Sequence, residues 1–172
     1  GWVVYMSSFS KYVAPGLRVG AAAVKNPLLR RKMVIGKQSA DTHSPLLNQA
    51  IVDAYIRKGL MPAHLARICG DYKKQLDAML DSFKCFPEGT RHTIPQGGLF
   101  VWAELPEGMD AMKAFNAAVD AGVAFVPGTH FYTEGGHENT LRLNFSMCDI
   151  PTIGEGMAKL GKSVDRNALA KP

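Results

Sequence analysis

The chain has 172 residues, 47% of them hydrophobic and 20% charged, with a formal net charge of +5. That length and apolar fraction suffice for a buried core without disulfides or a structural metal, and the scattered Gly and Pro exclude collagen-like, low-complexity and disordered classes. The positive charge does not indicate nucleic acid, because the lysines and arginines are spread singly apart from Arg30-Arg31-Lys32, which reads as a solvated helix face.

Trp2 to Met6 and Val19 to Val24 are short apolar runs with β-branched residues, and they read as two strands joined by a functional loop. From Ser44 the period changes: Leu46, Leu47, Ala50, Ile51, Ala54 and Tyr55 recur at three and four residues, with Ser44 as cap, Pro45 in the first turn and Gly59 beyond the end. Pro62 opens a longer helix to about Phe83, with Leu65, Ile68, Cys69, Tyr72, Leu76, Met79, Leu80 and Phe83 as its apolar stripe. Leu99 to Leu105 is a buried strand ended by Pro106. Asp110 then caps a helix carrying Met112, Phe115 and Val119, Gly122 stops it, and Val123 to Val126 forms a short strand closed by Pro127-Gly128. Leu141, Leu143 and Phe145 alternate with Arg142, Asn144 and Ser146, so a strand here buries the first set and turns the second to the opposite face. After Asp149 and Pro151 a last helix places Ile153, Met157, Leu160 and Val164 on one side.

Alternating strands and helices imply a layered α/β domain, and the first two strands look like members of a larger sheet whose remaining strands are encoded elsewhere. The opening run Gly1-Trp2-Val3-Val4-Tyr5, without a start methionine or a signal pattern, reads as a truncation. Cys69, Cys85 and Cys148 are odd in number and lack CxxC spacing, so we expect buried thiols in a reducing compartment. The five histidines lack metal-ligand spacing, so no metal site is expected. No apolar run, including Val19 to Val24 and Leu99 to Ala103, approaches the length of a bilayer span.

The densest chemistry lies in Ser8-Phe9-Ser10-Lys11-Tyr12 and the following residues to Gly20, where two hydroxyls, an amine and the Arg18 guanidinium crowd one turn. Hydroxyls and an arginine fork suit a phosphate ester. An amine held beside that phosphate can condense with an aldehyde on the same small molecule. The same residues could equally be an exposed turn with two cations.

Ser8-Phe9-Ser10-Lys11, followed by Ala14-Pro15-Gly16-Leu17-Arg18-Val19-Gly20, closely resembles the cofactor-lysine signature of class I/II aminotransferases, the fold-type I pyridoxal-phosphate enzymes. The branch with 2-aminoadipate and broad-range aromatic aminotransferases is also similar at Gln96 to Trp102, at Val126-Pro127-Gly128 with Phe131-Tyr132, and at Asn139 to Ser146. This resemblance implies the carboxy-terminal part of such an enzyme. Residues 1–44 would be the end of the large cofactor-binding domain, 45–86 connecting helices, and 87–172 the small α/β domain.

The same resemblance implies that Lys11 is the Schiff-base lysine for pyridoxal 5'-phosphate and the later proton shuttle. Ser8 and Arg18 would hold the phosphate, with Ser10 a lesser contributor, and Arg142 would take the substrate α-carboxylate. Amino acid and 2-oxo acid substrates, a homodimer and a cytoplasmic location are implied in the same way. Tyr12 departs from the pattern, which usually has threonine or a small residue there, and this leaves the local packing open. Family members supply a phosphate loop, a ring-stacking aromatic and a ring-nitrogen aspartate before the lysine, and this sequence begins too close to Lys11 to include them. The isolated chain is therefore expected to be inactive or nearly so. Two other readings stay open: the effector domain of a regulator fused to a DNA-binding winged helix, and a binding module without chemistry.

Overall fold

The computed structural model describes residues 3–168. The chain divides into two compact units, Gly1–Ile68 and Cys69–Pro172. Among the described residues no helix is long and apolar enough to cross a membrane.

In the first unit, β1 (Val4–Ser8) and β2 (Gly20–Val24) pair antiparallel in a register running from Val4↔Val24 to Ser8↔Gly20. The expected strand–loop–strand is present, and Trp2 lies outside the described residues. Helix α1 (Pro27–Asp41) follows, of which the sequence shows no more than a solvated face around Arg30 to Lys32. Its start is nevertheless encoded locally. The Asn26 side chain accepts hydrogen bonds from the backbone amides of Leu28 (3.0 Å) and Leu29 (3.1 Å), and Pro27 occupies the first helical position, where a missing N–H costs nothing.

Helix α2 (Leu46–Arg57) differs from expectation at its start and on its apolar face. Pro45 itself stands at the cap position and no side chain caps the helix. The Ser44 hydroxyl instead accepts from the Lys37 ammonium at 3.4 Å. The anticipated buried stripe is open: Leu46 and Leu47 are 74% and 72% exposed, whereas Val52, outside that stripe, is 3% exposed. Gly59 ends the segment with φ of 67°, a left-handed conformation that glycine adopts without steric cost. Helix α3 (Met61–Asp81) comes next and contains the boundary between the units. Among the described residues up to Ile68, Val19 and Val52 are the only buried apolar side chains.

The second unit has the larger core. A four-stranded antiparallel sheet has the order β3-β4-β6-β5, formed by β3 (Arg91–His92), β4 (Phe100–Glu104), β5 (Val126–Pro127) and β6 (Thr140–Asn144). Its buried residues, Val101 and Ala103 of β4 with Leu141 and Leu143 of β6, join one cluster with Leu76, Met79 and Phe83 and with the helices α4 (Ala111–Asp120) and α5 (Ile150–Ala168). Alternation had placed Leu141, Leu143 and Phe145 inside, and all three are buried, as are Ile153, Met157, Leu160 and Val164 of α5. Asp110 caps α4 as expected, accepting from the amides of Met112 (2.8 Å) and Lys113 (3.3 Å). The inner face of that helix is a correction. Ala111, Ala114 and Ala118 are fully buried while Met112 and Val119 are exposed, because small side chains let a helix approach its neighbours closely.

The cysteines are a second correction. Cys69, Cys85 and Cys148 are all exposed, so they are not core thiols. Cys69 lies in α3, Cys85 at the end of the 3-10 turn Ser82–Cys85, and Cys148 in the bend before α5.

Candidate functional site

The turn between β1 and β2 is held by its own backbone. The Phe9 amide donates to the Val19 carbonyl at 3.0 Å, and the Val13 amide donates back to the Phe9 carbonyl at 2.8 Å, which closes a loop around Ser10, Lys11 and Tyr12. The Asn48 side-chain amide donates to the Leu17 carbonyl at 2.9 Å, tying α2 to the far side of the turn. Gly20, the partner of Ser8 across the sheet, lies close to the preceding carbonyl: a side-chain carbon there would stand 3.1 Å from the Ser7 carbonyl oxygen.

Lys11 is exposed at the tip, and among the described residues no hydrogen bond or ion pair engages its amine. The Ser8 hydroxyl accepts from the Ser10 amide at 3.3 Å and keeps its own proton free to donate. Arg18 has φ of 53° and ψ of 41°, a left-handed conformation costing a non-glycine residue of order 1 kcal/mol. One guanidinium nitrogen donates to the Pro15 carbonyl at 3.2 Å, leaving the rest of the exposed fork available. Tyr12 finds its packing locally, its ring edge-on to Phe9 with centroids 5.6 Å apart and its hydroxyl bonded to the Ser7 hydroxyl. Ser8, Ser10, Lys11 and Arg18 therefore share one turn of the first unit, and Arg142 belongs to the second.

Arg142 lies in β6, paired with Trp102 of β4 on one side and Val126 of β5 on the other. It is half-buried and takes part in no ion pair among the described residues. Its guanidinium carbon stands 4.2 Å from the centroid of the Phe100 ring and 4.7 Å from that of Phe131. The Nε donor is buried without a partner. Trp102 meets Phe131 and Tyr132 edge-on, at 5.5 and 6.2 Å, so the Phe131 ring beside the cation belongs to a wider aromatic cluster.

The place of Phe100 and Phe131 beside Arg142 is not legible in the sequence. Alternation puts Phe100 on the same face as Trp102, but only the register Trp102↔Arg142 brings that face to the arginine.

A family model, aminotransferase class I and II, matches residues 1–160. The chain is 44% identical over 163 residues to a 2-aminoadipate transaminase of Thermus thermophilus, covering 94% of this chain and 41% of that protein. It is 41% identical to aromatic-amino-acid aminotransferase 1 of Thermococcus litoralis, covering 95% and 39%. The crystal structure of α-aminoadipate aminotransferase LysN from Thermus thermophilus, complexed with N-(5'-phosphopyridoxyl)-L-leucine, superposes with a TM-score of 0.92 at 40% identity, covering 98% of this chain and 43% of that one. The chain thus spans about two fifths of the length of these relatives.

Proposed function

We propose that this chain, which belongs to the class I and II aminotransferase family, contributes the cofactor lysine and the carboxylate-binding arginine to a protein that moves amino groups between amino acids and 2-oxo acids. The cofactor in this reading is pyridoxal 5'-phosphate, and the donor set on the first turn fits it: hydroxyls and a guanidinium fork for a phosphate ester, beside an amine with no competing partner. That exposed, unengaged Lys11 amine is the observation carrying the proposal.

Ser8 and Arg18 would donate to the phosphate, with Ser10 in a lesser part. When bound, the cofactor supplies an electron sink for charge developing at the substrate α-carbon. Lys11 would hold the cofactor covalently and, once released, carry a proton at the substrate α-carbon. Arg142 would orient the substrate through a bidentate contact to its α-carboxylate, fixing which bond at the α-carbon is presented for reaction. Residues 1–44 would close the large domain, 45–86 connect, and 87–172 form the small domain. A cytoplasmic homodimer belongs to the same reading. The enzyme reading is preferred to the regulator because relatives at 44% and 41% identity carry aminotransferase names, and 2-aminoadipate and aromatic amino acids are the first substrates to assay.

Borohydride reduction of the full-length protein with pyridoxal phosphate, followed by peptide mapping, tests the assignment. Label on Lys11 is expected, and label on any other lysine overturns it. The 172-residue chain alone, mixed with cofactor, an amino acid and 2-oxoglutarate, is expected to show little or no turnover.

A further inference from the structure

We infer that Phe100 and Phe131 are positioning residues for Arg142: their rings orient its guanidinium without neutralising it, so the charge is kept for an incoming carboxylate. The inference rests on the reading that Arg142 receives the substrate α-carboxylate. An arginine side chain has many rotamers, and a bidentate contact needs its planar fork held in one of them. A neighbouring aspartate or glutamate would hold it, but would also compete with the substrate's own carboxylate. Among the described residues no ion pair includes Arg142. The groups beside it are instead two aromatic rings from different elements, Phe100 of β4 and Phe131 of the 3-10 turn Gly128–Phe131.

A ring attracts a cation through its quadrupole while carrying no charge to cancel it. Trp102 in turn braces Phe131 edge-on at 5.5 Å. The stem of Arg142 is held too, because β6 is an inner strand, paired on both sides at this residue. Among the described residues no acceptor takes the buried Nε, so no hydrogen bond at that atom fixes the fork in place of the rings. Phe131 is 48% exposed, so its packing alone does not demand an aromatic there.

The test uses the full-length protein and 4-methyl-2-oxopentanoate, a 2-oxo acid with one carboxylate, its binding measured by calorimetry. Arg142→Leu tests the underlying reading, and unchanged binding in that variant refutes the carboxylate role itself. Given a loss there, Phe131→Leu and Phe100→Leu are each expected to weaken binding roughly fivefold, the scale of one exposed cation–π contact. Phe131→Tyr, which keeps the ring, is expected to restore it. Incorporating 3,4,5-trifluorophenylalanine at position 131 keeps the shape and drains the ring's electron density, and should weaken binding in the same direction while thermal stability holds. In turnover the Leu variants should raise KM more than they lower kcat. Wild-type affinity in the trifluorinated and Phe131→Leu proteins, alongside a loss in Arg142→Leu, would overturn the positioning role and leave the carboxylate reading intact.

Discussion

Helix α5 contains three glycines that should respond to the same substitution with opposite signs. At Gly154 and Gly156 an added methyl meets no atom within 4 Å. Replacing either by alanine removes backbone freedom from the unfolded chain and should stabilise by about 0.5–1 kcal/mol. At Gly161 the methyl would collide with the backbone carbonyl of Cys85 and stand 3.3 Å from the Cys85 Cβ. The obstructing atoms are main chain, so relief requires α5 to move away from the turn Ser82–Cys85, and overpacking of this kind costs about 1–3 kcal/mol. After subtracting the helical gain, Gly161→Ala should be destabilised by about 1–2 kcal/mol, roughly 2 kcal/mol below its two siblings. With a urea slope of about 2 kcal/mol per molar, that separation is about 1 M in midpoint, easily read by circular dichroism on the purified chain. A Gly161→Ala midpoint at or above those of Gly154→Ala and Gly156→Ala would refute the contact of α5 with the turn.

Leu141, fully buried in β6, should lose about 2–5 kcal/mol on truncation to alanine, measured by the same denaturation. The three exposed thiols should all react with a chromogenic disulfide reagent in native buffer, and reaction only after denaturation would return them to the core. Hydrogen bonding to Thr152 holds the Asp149 carboxyl below its ordinary value, and hydrogen bonding and charge from Lys159 do the same for Glu155. A depressed carboxyl stabilises the fold fully above its unfolded value, about 4, and loses that contribution as pH falls through the lower folded value. The melting temperature should therefore fall on acidification through this range, and Asp149→Asn should flatten part of the fall. An equal fall in wild type and variant would remove Asp149 from the explanation.

Periodicity identified the elements whose burial is one-sided. In β6 and α5 one face is buried and large, so Leu141, Leu143, Met157 and Leu160 could be placed from spacing alone. It misjudged α4, where close packing selects Ala114 and Ala118 over the bulkier Met112, since a hydrophobicity pattern gives weight to size. It misjudged α2 because an apolar stripe reports a surface to be covered, and within this chain Leu46 and Leu47 remain uncovered. Helix α1 had a legible start at Asn26-Pro27 but no single apolar face to extend it, and β3 is two residues at a sheet edge, too short for any period. At the candidate site, Lys11 and Arg142 came from motif and resemblance. The rings beside Arg142 depend on the pairing of β4 with β6, which no local pattern specifies.

One helix belongs to both units, and its two ends have unequal support. Toward the carboxy end of α3, Leu76 and Met79 are locked into the large cluster, whereas Leu65 and Ile68 nearer its start are only partly covered. Local opening follows local support, so in deuterated water the amides of the final turns should retain their protons longest and those of the first turns should exchange early. A single continuous rod would then display a gradient of opening free energy along its axis, with its origin in side chains rather than in the hydrogen bonds that every turn shares.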